Sequence, residues 1–187
     1  LAQIERGGFA LYSELLDVPG IVHDVVRTHG PQAQAKGLRL GVDADPGLHY
    51  ASLDRIRLLK IVDYLVDNAI KFTHEGRIDV AVESDDEQIR IVVSDTGIGI
   101  DEEYLPHIFQ SFSQQSTGLT RSHGGLGIGL SIAAHMADIM KGSIEVWTEP
   151  GKGSKFTVAL PRGTKAAVHS RREAPQDLSS SEDALWF

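Results

Sequence analysis

Apolar residues recur along this 187-residue chain with two periods, and the switches between them mark out its elements. From Asp17, a capping residue, Ile21, Val22, Val25 and Val26 repeat at helical spacing with Pro19 tolerated in the first turn. That predicts a helix to residue 35, ended by Gly37. Leu38 to Val42 alternates as a strand, and Asp43-Ala44-Asp45-Pro46-Gly47 reads as a turn. A second helix opens at Asp54 and reaches Phe72. At about 100° per residue, Leu58, Ile61, Val62, Leu65 and Ala69 share its core face, while Tyr64, Asn68 and Lys71 share another. Residues 77–83 and 88–94 read as two strands around the acidic turn Ser84-Asp85-Asp86-Glu87. A short helix start follows at Asp101 to Leu105, with Phe109 and Phe112 as packing anchors. Between Ser113 and His123 periodicity is lost among Ser, Gln, Thr and Gly, as expected of a mobile lid. A third helix is predicted over residues 127–141, with Ile128, Ile132, Ala133, Met136 and Ile139 as core positions. Residues 143–147 and 154–160 then form a last hairpin.

Composition removes several functional classes. The chain is 41% hydrophobic, enough for one sizeable core and hence one domain. A formal net charge of −8 opposes attraction to nucleic acid or to an anionic membrane surface. No apolar run approaches the roughly 18 residues of a spanning helix, and a signal peptide's charged start and apolar core are missing. A cytoplasmic setting is therefore expected, whether or not the intact protein is membrane-anchored. Zero cysteines exclude disulfides and thiolate metal sites. The eight histidines are scattered, without a His-x-x-x-His or His-Glu-x-x-His pair, which argues against zinc.

The candidate chemistry lies in glycine-rich turns. Four glycines occur in the six residues from Gly124 to Gly129, running into an apolar helix whose free N–H groups and dipole suit an anion such as phosphate. A tight helix-to-sheet contact would also use glycine there. The dinucleotide fingerprint fails at Leu130 and Glu102, and the Walker pattern fails at Val146 and Gly153. Upstream, Asp95-Thr96-Gly97-Ile98-Gly99 follows a strand. A carboxylate there can accept from a ring amine while the backbone packs on the ring, or it can cap the turn. On the second helix, Lys71 taken alone reads as a solvated residue, but Asn68 is a weak helix former in mid-helix, which favours a site.

In this order and spacing, the motifs resemble the ATP-binding catalytic domain of sensor histidine kinases, whose fold is shared with DNA gyrase, heat-shock chaperone and mismatch-repair ATPases. The resemblance covers residues 1 to 161. Asn68-Ala69-Ile70-Lys71-Phe72-Thr73 looks like the N box, implying that Asn68 is a Mg2+ ligand and Lys71 a phosphate contact. Asp95 to Gly99 looks like the first glycine box, with Asp95 the adenine-amine acceptor and Gly97, Ile98 and Gly99 beside the nucleotide. Phe109 to Phe112 resembles the F box, and Arg121 the basic residue of an ATP lid over 113–123. Gly125, Leu126, Gly127 and Gly129 resemble the second glycine box that holds the phosphates. Gly151 to Thr157 resembles the last glycine box, with Thr157 as the hydroxyl near adenine.

The resemblance implies an α/β two-layer sandwich, a mixed sheet of about five strands with three main helices on one face. Residues 1–16 are expected to end a dimerisation helix and lead into the domain, 17–161 to be the domain, and 162–187 to be a disordered linker or tail. The implied function is to bind Mg-ATP and donate its γ-phosphate to a histidine on a dimerisation domain, with a response regulator or receiver domain downstream. No histidine followed by the acidic and proline residues of a phosphoacceptor is present, so that histidine is expected outside this chain. The fragment is expected to be monomeric and the intact protein a homodimer.

Three departures matter. Tyr64 stands where the family has a second asparagine, Lys60 replaces a common glutamine, and Leu126 stands where Thr or Ser is frequent. Tyr64 and Leu126 motivate an alternative, a degenerate regulatory domain with weak or no transfer. A gyrase- or chaperone-type ATPase is a further alternative, disfavoured because those enzymes place a glutamate base at the position of Tyr64 and a phenol is a poor base at neutral pH.

Overall fold

The computed structural model describes residues 11–44, 49–110 and 128–163. In chain order the described elements are β1 (Ser13–Asp17), α1 (Val18–Ala35), β2 (Arg39–Ala44), β3 (Tyr50–Asp54) and α2 (Arg55–Phe72). β4 (Arg77–Ser84), β5 (Gln88–Asp95), a 3-10 turn at Leu105–His107, α3 (Gly129–Ile139), β6 (Ser143–Glu149) and β7 (Gly153–Pro161) follow. The main sheet has the order β2-β4-β5-β7-β6, with β2 parallel to β4 and every other pair antiparallel. This is the mixed five-stranded sheet expected from the sequence.

Alternation along the strands sets the layers. Ile78, Val80 and Val82 of β4, Ile89, Ile91 and Val93 of β5, and Phe156, Val158 and Leu160 of β7 are buried in one cluster with the apolar stripes of all three helices. The intervening residues, such as Arg77, Asp79, Lys155 and the exposed Trp147, face away from it. On α2 the buried face is Leu58, Ile61, Val62, Leu65, Val66, Ala69 and Ile70, wider than predicted by Val66 and Ile70 because α2 is covered by α1, α3 and β5.

The helix starts are chemically explicit. Asp17 caps α1 by accepting from the Gly20 amide at 3.3 Å, and Asp54 caps α2 by accepting from the Arg57 amide at 3.1 Å. Asp54 is 3% exposed, also accepts from the Tyr12 amide, and pairs with the Arg57 guanidinium. Burial opposes its charge, but the two amides and the guanidinium outweigh that and hold its carboxyl below the ordinary value.

Three expectations need correction. Residues 13–16, read as part of a lead-in linker, belong to strand β1, which pairs with β3 in a separate two-stranded sheet from Ser13↔Asp54 to Asp17↔Tyr50. Each strand is five residues and ends in a helix cap, too short for periodicity to register. Arg162, assigned to the tail, is tied in. Its amide donates to Glu87 O at 2.8 Å, its carbonyl accepts from Ser52, and its guanidinium donates to the carbonyls of Tyr50 and Asp85. Asp43 and Ala44, read as turn, extend β2.

The third helix is also shorter than predicted. α3 buries Ala133 and Ala137, and Met140 just after it is buried too, with Met136 and Leu130 packed at the edge, whereas Ile128, Ile132 and Ile139 are only half-buried. Small residues let α3 sit close on α2, so the alanines rather than the isoleucines meet the core.

α1 and α3 end alike, with paired carbonyl captures: Gly37 N to Gln34 O and Leu38 N to Ala33 O, then Lys141 N to Asp138 O and Gly142 N to Ala137 O. The left-handed position is glycine in the first (Gly37, φ 72°) but Lys141 (φ 60°) in the second. Lys141→Gly is expected to stabilise the chain by about 0.5–1 kcal/mol, read by chemical denaturation, because it removes a Cβ from the left-handed region. A destabilisation would show that the Lys141 side chain contributes more than its backbone strain.

Candidate functional site

β5 delivers Asp95 to the sheet edge, where ladder pairing sets it opposite Ser154 of β7. Asp95 Oδ1 accepts from the amides of Gly97 at 2.9 Å and Ser154 at 3.3 Å. No described residue donates to its Oδ2, so one oxygen is anchored and the other is available. Burial pushes the carboxyl above its ordinary value, against the two amides.

The loop after Asp95 is threaded through a narrow gap. Ile98 N donates to Phe72 O at the end of α2, Gly151 N donates to Ile98 O, and Ile100 N donates to Thr148 Oγ1. A Cβ at Gly97 would run into Phe72 O, and one at Gly153 into the Asp95 carbonyl. Gly99 adopts φ 68°, and a Cβ there would run into the Glu149 carbonyl, so no side chain fits. Close backbone contacts therefore account for Gly97 and Gly99, and they build a loop of fixed shape beside Asp95.

The last two turns of α2 lead from this end to a second group. Tyr64, Asn68 and Lys71 are half-buried on one stripe. Lys71 Nζ stands 5.0 Å from the Phe72 ring centroid, a cation–π contact. No described residue hydrogen-bonds the Asn68 side chain. Gly129, first residue of α3, lies against the Tyr64 ring: a Cβ there would stand 3.1 Å from Cδ1. α3 has no side-chain cap and no acidic residue in its first turn, so its opening amides are not taken by its own side chains.

The structure thus gathers Asp95, Gly97, Ile98 and Gly99 with Phe72 and the β6–β7 turn, and places Asn68 and Lys71 on the same stripe as Tyr64, which meets Gly129. Phe112, Arg121, Gly125, Leu126, Gly127 and the lid over 113–123 lie outside the described residues. Thr157 is a correction. It lies between the buried Phe156 and Val158 and pairs with Val92, three ladder positions from Asp95 and on the sheet face away from the helices. The hydroxyl next to Asp95 is that of Ser154, which is buried and shares a 3.0 Å hydrogen bond with Thr148. Ser154 follows Gly153 directly in the last glycine motif, but only strand register reveals its pairing with Asp95.

These residues fit a purine nucleotide at the level of their chemistry. A half-buried acceptor stands beside a glycine loop that admits close approach, and an amide and an ammonium lie along the adjoining helix. The Asn68 amide would offer one neutral oxygen, a donor that suits Mg2+, an ion that keeps most of its waters beside nucleotide phosphates. No described group of His, Asp and Glu forms an independent metal cluster.

Comparison with known proteins agrees. Full-length ShkA, crystallised in complex with AMPPNP, superposes with a TM-score of 0.74 at 28% identity over 82% of this chain and 32% of that one. The autoinducer 2 sensor kinase/phosphatase LuxQ of Vibrio cholerae is 34% identical over 97% of this chain and 21% of its own length. The sensor protein GacS of Pseudomonas syringae is 38% identical over 85% of this chain and 18% of its own. The profile of the histidine kinase-, DNA gyrase B- and HSP90-like ATPases matches residues 53–164, and the chain belongs to that family. It spans about a fifth of the length of these curated relatives.

The raised Asp95 titration gives a stability test. An acid whose folded-state pKa is raised favours folding when protonated, so its contribution is present below the ordinary carboxylate pKa and lost as pH rises through the folded value. Asp95→Asn is therefore expected to raise the melting temperature at pH 7 and to change it little near pH 3. An equal loss of stability at both pH values would contradict a burial cost at Asp95.

Proposed function

We propose that this chain binds Mg-ATP and donates its γ-phosphate to a histidine on a dimerisation domain outside it, in two-component signal transduction. The observation that carries the reading is the Asp95 carboxylate, with one oxygen held by the Gly97 and Ser154 amides and the other facing no described donor. That geometry suits the exocyclic amine of adenine. The ATP analogue in ShkA and the sensor-kinase names of LuxQ and GacS support the same assignment.

The chain's own part in the reaction is positioning and charge neutralisation. Asn68 would hold Mg2+ through its amide oxygen, and Mg2+ when bound offsets charge on the phosphates. Lys71 is within one turn of Asn68 and would leave the Phe72 ring to contact phosphate. Histidine nitrogen attacks phosphorus in line, the bond to the ADP oxygen breaks, and ADP departs; aligning these centres is what the fold contributes. The intact protein would act as a homodimer and pass the phosphoryl group to a response regulator or receiver domain. Tyr64 favours a second reading, a regulatory domain that binds nucleotide without transfer.

Titration with ATP in the presence and absence of Mg2+ tests binding, and addition of a histidine-bearing dimerisation domain tests transfer. Saturable binding with transfer is expected. No saturation at roughly millimolar ATP would defeat the nucleotide site. Binding without transfer would favour the regulator, and steady phosphate release by the chain alone would favour a hydrolase.

Within this reading Asp95→Asn is expected to weaken ATP, ADP and adenosine alike by about tenfold or more, with or without Mg2+. Asn68→Ala should remove only the part of ATP affinity that depends on Mg2+. Wild-type affinity in both variants would mean that the site is misplaced.

A further inference from the structure

We propose that Tyr64 is a positioning residue that sets the N-terminal turn of α3 relative to Asn68 and Lys71, and so governs affinity for the phosphate part of the nucleotide. The inference rests on the nucleotide reading above and deepens it. By sequence, Tyr64 is a departure, an aromatic ring where an asparagine is expected, and it suggests loss of function. In the fold the ring fills a structural role.

A Cβ at Gly129 would stand 3.1 Å from Tyr64 Cδ1 and 3.7 Å from Cε1 and Cγ. The ring therefore lies against the backbone of the first residue of α3, with no side chain between them. Tyr64 is half-buried and packed on the core, so α2 holds the ring from beneath. α3 lacks a side-chain cap and an acidic first turn. Its opening turn is thus located from the side, by an aromatic wedge on the neighbouring helix.

The wedge sits one turn before Asn68 on the stripe that also carries Lys71. An asparagine at 64 could place atoms only at the Cγ and Cδ positions; it lacks Cε1 and the rest of the ring that lies against Gly129. Exchanging a polar amide for a rigid ring gives up one polar group but fixes the distance between the α3 amides and the two α2 side chains. Such distances matter, since a misplacement of about 1 Å can cost on the order of a hundredfold in rate.

The test is an NMR titration of the 187-residue chain with ATP, ADP and adenosine, using Tyr64→Phe, Tyr64→Leu and Tyr64→Ala, with thermal melts as a check on folding. The ring alone is expected to suffice: Tyr64→Phe stays within about twofold of wild type, while Tyr64→Ala loses about tenfold or more for ATP and ADP with adenosine unchanged. Should Tyr64→Ala not fold, Tyr64→Leu, which keeps Cγ and Cδ atoms but no ring, is read for the same difference in direction, a loss for ATP and ADP that adenosine does not share. The proposal is overturned if adenosine weakens as much as ATP, if ATP is unaffected, or if Tyr64→Phe falls with Tyr64→Ala. Failure of wild type to bind any of the three ligands would instead remove the nucleotide site itself, and with it the role for Tyr64.

Discussion

The site depends on one backbone-to-backbone contact, the passage of Gly97-Ile98-Gly99 between the last carbonyl of α2 and the β6–β7 turn. Phe72 O accepts from Ile98 N on one side, and Ile98 O accepts from Gly151 N on the other. Neither bond forms if a side chain intervenes, which is why the residues at 97 and 99 are glycine. Once the loop is held there, Asp95 has little freedom. Its Oδ1 is fixed by an amide from within the loop and another across the ladder, and its backbone is clamped by Gly153. A loop held by such contacts keeps its shape, so a ligand that used it would lose less ordering entropy on binding.

α2 ties this end to the stripe that carries Asn68 and Lys71. It starts at the buried Asp54 cap, held by Arg57 and Tyr12, and finishes with its Ile70 and Lys71 carbonyls accepting from Lys36 Nζ. Both termini are therefore satisfied by groups from other elements, and the helix cannot slide without breaking them. The two-stranded sheet serves the same end: β1 and β3 each finish in the aspartate that caps the next helix, so their pairing sets the spacing of α1 and α2. Arg162 then ties that small sheet to the β4–β5 turn.

Much of this could be read along the chain because local chemistry and global fold agree. Asp17, Asp54 and Gly37 announce helix ends in the sequence, and the apolar stripe of α2 leaves a polar one for Asn68 and Lys71. What stayed hidden depends on partners distant in sequence. β1 and β3 are short and recognisable only as a pair. The preference of α3 for Ala133 and Ala137 over Ile132 follows from how near α2 lies. Thr157 and Ser154 are both hydroxyls after the last glycine motif, and nothing but the β5–β7 register tells which one adjoins Asp95. Glycine itself was ambiguous, since loop packing and ligand approach ask for the same residue, and at Gly97 and Gly99 the packing explanation holds in full without displacing the other.

A structure of the chain with Mg2+ and a nonhydrolysable ATP analogue tests the central claim most directly. The account predicts the adenine amine within hydrogen-bond distance of Asp95 Oδ2, Mg2+ on the Asn68 amide oxygen, and phosphates between Lys71 and the start of α3. An analogue seated elsewhere, for instance in the groove between α1 and α2 lined by Asp24, Thr28, Lys60 and Asp63, would contradict it.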